Sequence, residues 1–491
     1  MTDRFLRKFV SITLAVLVTV TVSASAAPPR ERYFSAQDVK AESYELYERM
    51  KASHFDLYAR RPKPDYDAFY RTMTASFTQP VTAFEIRVAF QRFLAFGRIA
   101  HSNIAFPADA YGAYRDAGGK AMPVYFRAVR GAAVVTENYS GILSIVAGDE
   151  IVALNGEPMS GWLARLAKNV SADNDYMANT LLENRFAALL WLELGAANSF
   201  TLKLRKRGGN IFDVEVPART RDETREAARQ QAPSLDLDWD KRLSRISGNG
   251  VAYLRPGPFY NNDPNAANIW DTTQFAAFID GAFQSYLNAN VRSLVIDLRD
   301  NPGGDNSFSD LMVSWFANKP FRFASDFRIK VSEAAIDSNQ KRVILAPNDK
   351  ESMSHKLAAA YAQRRVGEVF SFEIPMAQPR TGVRFQGKVF ILINRGSYSN
   401  TVQVAALSQD YKFATILGEE TSDLATTYGA MEQFALSRTG IDVNFPKALI
   451  IRANGDRAAR GVIPDVVIET PIVQSKDDRV LMRALDVARA R

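Results

Sequence analysis

The run VRSLVIDLRDNPGGDNS, Val291–Ser307, decides the fold. Its apolar residues are continuous rather than alternating, which predicts a strand buried on both faces that ends in a glycine turn. Farther along, KVFILINRGSYSNTVQVAALSQDYKFATILGEET, Lys388–Thr421, repeats the design: strand, glycine turn, helix over TVQVAALSQD, then the strand FATILG. Strands alternating with helices imply a largely parallel or mixed sheet wrapped by helices. Upstream of both, TTQFAAFIDGAFQSYLNAN places Phe275, Phe278, Ile279 and Phe283 on one helical face, and this largest unit is expected over 235–491.

Working outward, RTRDETREAARQQAPS, 219–234, is charged and poor in apolar residues and reads as a linker. Before it, a unit over 120–219 shows strand alternation in VYFRAVRGAAVVTENY, turns at Ala147-Gly148-Asp149 and Asn155-Gly156, and strands in SFTLKLRKRG and IFDVEVPA. The helical stretch NDYMANTLLENRFAALLWLELG interrupts it as an insertion able to reshape or cover a groove. Residues 35–115 carry apolar and aromatic residues at three- and four-residue steps and form a helical N-terminal domain. Its exit, AFGRIAHSNIAFP, holds His101 in a loop or short strand.

The chain of 491 residues has room for two to four domains at about 150 residues each. At 47% hydrophobic and 23% charged residues it is ordinary globular material. The first 27 residues differ: Arg4, Arg7 and Lys8 precede an uncharged run from Phe9 to Val22 and small residues around Ala24–Ala26, the pattern of a cleaved secretory signal, with an uncleaved anchor as the alternative. Export places the mature chain in a periplasm or outside the cell. No cysteine is present, so disulfides and thiolate catalysis are excluded. The formal charge of +7 falls to about +5 without the signal. Basic residues are dispersed, which argues against nucleic acid and allows peripheral contact with anionic envelope surfaces. Three scattered histidines give no metal-ligand spacing and there is no phosphate loop, so no cofactor is expected.

A serine on a glycine-flanked strand-to-helix turn has two readings: a nucleophile facing backbone N–H donors, or a helix N-cap. The surrounding motifs bear on the choice. GILSIVAGDEIVALNG, 141–156, resembles the strand-turn core of PDZ domains. VIDLRDNPGGDNS, RGSYSN, GEET at Gly418–Thr421 and RGVIPD at Arg460–Asp465 resemble, in order, the motifs of the tail-specific or C-terminal processing serine peptidases. The resemblance spans about residues 120–470 and implies a multidomain α+β protein: helical N-terminal domain, PDZ-like β domain and an α/β peptidase core of crotonase/Clp-like ββα type.

Carried over residue by residue, the resemblance makes Ser399 the nucleophile, leaves Ser397 to shape the turn, and assigns the oxyanion to backbone at Gly303 or Gly304 and at Asn400. The family's usual lysine base, 25 residues after the serine, is missing: Leu424 occupies that place, and no lysine lies between Lys412 and Lys447. His54 lies in a helical stretch and His355 in a polar segment. His101, in a segment similar to the GxxHS run of tricorn-like members, is the candidate base, since an imidazole titrates near neutral pH. A third, orienting acid is expected shortly before GVIPD, where Ala458 and Ala459 stand instead. Glu420 is the first substitute, ahead of Glu419 and Asp305.

The expected function is an exported serine peptidase acting on proteins or peptides, with substrate tails engaged through the PDZ-like domain. Two alternatives stand beside it: a catalytically inactive peptide-binding pseudopeptidase, and a hydrolase of non-peptide esters or amides. The oligomeric state is left open.

Overall fold

The structure is a computed structural model that describes residues 32–490 apart from 232–234, 236, 248–249, 346 and 474. The signal-like segment 1–27 lies outside the described residues. No helix among the described residues is long and apolar enough to cross a membrane. The chain divides into two compact units: residues up to Gln231 together with Glu432–Phe445, and Ala232–Met431 together with Pro446–Arg491.

In the first unit, helices Ala36–Ser53, Lys63–Ser76 and Ala83–Phe96 begin where the sequence supplies caps. Ser35 accepts the Asp38 N–H, a proline opens the second helix, and Thr82 with Glu85 forms a capping box for the third. Aromatic side chains join them, with Tyr47 and Tyr66 set edge-on to Phe93 at 5.4 and 5.5 Å. His101 follows in a turn, is buried, and lies two residues before Asn103, which pairs with Asn444.

The same unit holds a mainly antiparallel sheet in the order Val124–Val129, Ala132–Asn138, Glu150–Leu154, Ser199–Arg205, Ile211–Pro217. Strand Ser199–Arg205 alternates strictly and buries Phe200, Leu202 and Leu204. Helix Asp175–Leu194, the expected insertion, packs on edge strand Val124–Val129: Phe186 meets Phe126 edge-on at 4.8 Å, and Glu183 Oε1 accepts the Ala128 N–H at 2.7 Å. Glu183 thus occupies one backbone donor of that edge strand, while Phe186 packs into the core on the sheet's face. The stretch read as a linker contains a helix, Arg221–Gln230, opened by a capping box of Thr220 and Glu223 and burying none of its residues.

The second unit is built on a sheet ordered Val466–Val467, Thr415–Gly418, Lys388–Ile393, Ser293–Asp297, Val251–Arg255, Leu243–Ser247. All neighbours are parallel except the last pair. The two strands that opened the sequence reading lie side by side at its centre, and their alternate residues feed two cores. Leu294, Ile296, Val389, Ile391 and Ile393 pack with Phe275, Phe283 and Phe308 on one face. Val295, Phe390 and Leu392 pack on the other against Val480, Ala484 and Val487 of the helix Arg479–Ala490. Burial on both faces explains the continuous apolar pattern, each such side chain contributing about 1.5–3 kcal/mol. A second sheet orders Val369–Ser371, Ala324–Lys330, Asp442–Arg452 and Thr427–Ala435.

Candidate active site

The register Asp297↔Leu392 brings the ends of the two central parallel strands level, and Ile393↔Gly418 adds the next. Three segments, 298–305, 394–400 and 419–424, consequently leave neighbouring carboxyl ends of one sheet, where open α/β sheets place ligands.

Polar contacts lock the first two together. Tyr398 donates its N–H to Asn301 O at 3.0 Å, and Ser397 Oγ donates to Leu298 O at 2.8 Å while accepting the Asn394 N–H at 3.1 Å. Ser397 is fully buried, and these bonds give it the turn-shaping place expected of it. Asn394 pairs with Asp300 in both directions, accepting its N–H at 3.0 Å and donating to Oδ1 at 2.8 Å. Burial pushes the Asp300 carboxyl up from its ordinary range.

Ser399 is half-buried and heads the helix Asn400–Asp410, yet its hydroxyl makes no cap and no other hydrogen bond among the described residues. Its backbone sits at φ 54°, ψ −124°. A non-glycine residue in that region costs about 1–3 kcal/mol and persists only where its surroundings impose it. The conformation turns a serine outward at a sharp strand-to-helix junction.

Gly303 lies against this turn. A Cβ built there would stand 2.6 Å from Tyr398 O, 2.8 Å from Asn400 N and 2.9 Å from Ser399 Cβ, and φ is +90°. Only glycine permits that approach. The Gly303 N–H already donates to Asn301 Oδ1 at 3.0 Å. The N–H groups of Gly304, which is exposed, and of Asn400, at the first position of its helix, have no hydrogen-bond partner among the described residues. The Asn400 side chain donates to Ser309 Oγ at 3.0 Å.

The third segment contributes a residue that sequence reasoning missed. Asp423, fully buried, accepts the Ser399 N–H on Oδ2 at 2.6 Å and the Leu424 N–H on Oδ1 at 2.9 Å. Burial pushes its carboxyl up to about 7 against the lowering effect of those two N–H groups. Leu424, where the family's lysine was sought, is fully buried.

His101 belongs to the first unit and Ser399 to the second. Glu420 is half-buried beside Glu419, which accepts the Thr470 N–H and stands 3.7 Å from Arg395 Nε. Asp305 caps the helix Asn306–Val313 through Ser307 N–H. Ala458 and Ala459 are exposed. His54 is buried at a helix end, where Nδ1 accepts the Asp56 N–H, and His355 Nδ1 meets Ser352 Oγ at 3.0 Å. Among the described residues no group of three or more His, Asp or Glu side chains is arranged to hold a metal ion.

Beneath the turn, Asp297 ties the sheet to both ends of the unit. It accepts from Arg255 at 2.6 Å, from Arg299 at 2.8 Å and from Tyr253 at 3.0 Å, while Arg299 also reaches Asp478 at 2.9 Å. Burial alone would raise the Asp297 carboxyl, but the two guanidiniums outweigh it and hold the group well below the usual carboxylate range.

Residues 268–468, which contain the segments 298–305, 394–400 and 419–424 but not Tyr253, Arg255 or Asp478, match peptidase family S41. Over this segment the chain is similar to the S41 peptidases. The S41 segment includes Ser399, Gly303, Gly304, Asn400, Glu420 and Asp423, and excludes His101. Among solved structures the chain is similar to mature CPAF complexed with lactacystin, at 16% identity and a TM-score of 0.61, covering 92% of this chain and 98% of that one. A second structure of mature CPAF gives 17% identity and 0.58, with coverages of 88% and 92%. At these identities the likeness is one of fold. No curated protein sequence matches the chain.

Proposed function

We propose that the protein is an exported serine peptidase that hydrolyses peptide bonds through Ser399. The Ser399 hydroxyl attacks the substrate carbonyl, the N–H groups of Gly304 and Asn400 hold the oxyanion that forms, and His101 takes the hydroxyl proton and returns it to the leaving amine. Glu420 is the proposed orienting acid. The observation that carries the reading is the Ser399 backbone at φ 54°, ψ −124°, held in a strained turn whose hydroxyl does no capping. The Gly304 and Asn400 N–H groups, without partners among the described residues, fit the second requirement of acyl transfer, and the S41 family supplies the substrate class of proteins and peptides. Export rests on the signal-like segment 1–27.

One observation favours the pseudopeptidase alternative: a fully buried leucine stands where the family's base is sought. The same alternative needs an open peptide groove, and the Glu183 carboxylate on a backbone donor of edge strand Val124–Val129 counts against β-strand addition there. The test is hydrolysis of an unstructured protein, with peptide and simple ester panels beside it, by the purified mature chain and by Ser399→Ala and His101→Ala. Peptide cleavage lost in both variants is expected. Cleavage unchanged in Ser399→Ala rejects the nucleophile, and ester turnover without peptide turnover moves the substrate class.

A further inference from the structure

We propose that Asp423 is the positioning residue of the Ser399 turn, its ionised carboxylate bridging the Ser399 and Leu424 N–H groups and so holding the serine in its positive-φ conformation. The inference rests on Ser399 being the nucleophile. Its geometry is direct: one carboxylate oxygen lies 2.6 Å from Ser399 N and the other 2.9 Å from Leu424 N. Both oxygens act as acceptors, the bonding the anion makes best; in a neutral acid the hydroxyl oxygen is the weaker acceptor of the two. A fully buried carboxylate whose hydrogen-bond partners are two backbone N–H groups is an expensive way to fill space, and here it is aimed at the backbone of the proposed reacting residue.

The fold fixes Asp423 from behind. Thr421 Oγ1 donates to Asp423 O at 2.8 Å and accepts the Val462 N–H at 2.9 Å, and Gln403, from the helix that Ser399 heads, donates to Ala425 O at 3.1 Å. The segment 419–425 is thereby tied to residues 460–462 and to the helix after the nucleophile. The family's motif sets a lysine one position later; this chain places a carboxylate beside that position and uses it on the serine's main chain. Charged and titratable groups on the surrounding elements are Asp300, Asp310, Arg395, Glu419, Asp456 and Arg460, together with Glu420 on the same segment. What shifts Asp423 is burial first, offset by its two N–H partners.

Protonation of Asp423 weakens one of its two acceptors and loosens the turn. The experiment follows the Ser399 amide in the full mature chain labelled with 15N-serine, from pH 5 to 9, alongside the rate at which a fluorophosphonate probe labels Ser399. In the wild type and in His101→Ala the amide shift is expected to titrate near pH 7. In Asp423→Asn, which keeps the side chain's size but faces an amide NH2 toward one donor, that titration is expected to vanish. Labelling at pH 8 is expected to slow by about 10- to 100-fold, the usual consequence of displacing a reacting group by a fraction of an ångström or more. A Ser399 amide shift that is the same in the wild type and in folded Asp423→Asn or Asp423→Glu overturns the proposal. Equal labelling of folded Asp423→Asn and wild type also overturns it. A titrating amide in a wild type that takes no label rejects the nucleophile itself, and the catalytic meaning of the tether with it.

Discussion

Replacing Gly303 by alanine separates a specific contact from general backbone strain, because Gly367 provides a matched control. Both glycines have φ +90°, but a Cβ at Gly367 meets nothing within 4 Å. An L-residue forced into left-handed backbone costs about 1–2 kcal/mol, and both alanine variants carry that term. At Gly303 the new methyl also lies 2.6–2.9 Å from Tyr398 O, Asn400 N and Ser399 Cβ, whereas ordinary contact begins at 3.4 Å. Two of the three are backbone atoms and cannot swing aside, so the turn moves by about 0.5–0.8 Å, the difference between those distances. Overpacking of this kind adds about 1–3 kcal/mol, and a shift approaching 1 Å at a reacting group costs up to about a hundredfold in rate. Urea melts are therefore expected to place Gly303→Ala below Gly367→Ala in stability. Fluorophosphonate labelling of Ser399 is expected to fall about 10- to 100-fold in the first and to stay near wild type in the second. Matching stabilities and matching rates for the two variants refute the argument that Gly303 is glycine for the sake of the serine turn.

Three further outcomes are expected. Asp297→Asn costs about 3–5 kcal/mol at pH 7, because it leaves Arg255 and Arg299 buried without their shared anion. Since the Asp297 carboxyl is held below its ordinary value, its stabilisation is present above about pH 4 and is lost as pH falls further, so the gap between wild type and variant narrows toward acid; a gap that widens contradicts the network. In fluorescence anisotropy, the mature chain is expected not to distinguish a peptide with a free C-terminal carboxylate from its amidated form, since the Glu183 carboxylate already occupies a backbone donor of the edge strand; carboxylate-dependent binding rejects that reading. Thr220→Ala is expected to remove about 1 kcal/mol from the helix Arg221–Gln230 and to speed amide exchange there. The helix buries nothing, so the melting temperature of the rest stays put.

The central sheet was legible because strands buried on both faces write long apolar runs, and Ser293–Asp297 and Lys388–Ile393 do so without interruption. The convergence of the two glycine turns followed from the same pattern, since adjacent parallel strands deliver their ends to one edge. Other features depend on contacts that local sequence does not carry. Asp423 looks like any polar loop residue in GEETSDLATTYG, and only tertiary burial makes it an acceptor for Ser399. Arg299 finds Asp478 across 179 positions. The choice of Gly304 over Gly303 as donor turns on Asn301, whose side chain takes the Gly303 N–H. The inclusion of Glu432–Phe445 in the first unit is a discontinuity in the chain that composition does not mark. The helix Arg221–Gln230 did leave a signal: T-R-D-E at 220–223 is a capping box, overshadowed by the absence of an apolar face.

The central claim is that Ser399 is an activated nucleophile, and covalent capture tests it most directly. The folded mature chain is treated with a fluorophosphonate serine probe and the adduct is located by mass spectrometry, in the wild type and in His101→Ala. One adduct is expected, on Ser399, and it is lost or slowed by orders of magnitude when His101 is removed. Folded protein that carries no adduct, or carries it on another serine, contradicts it.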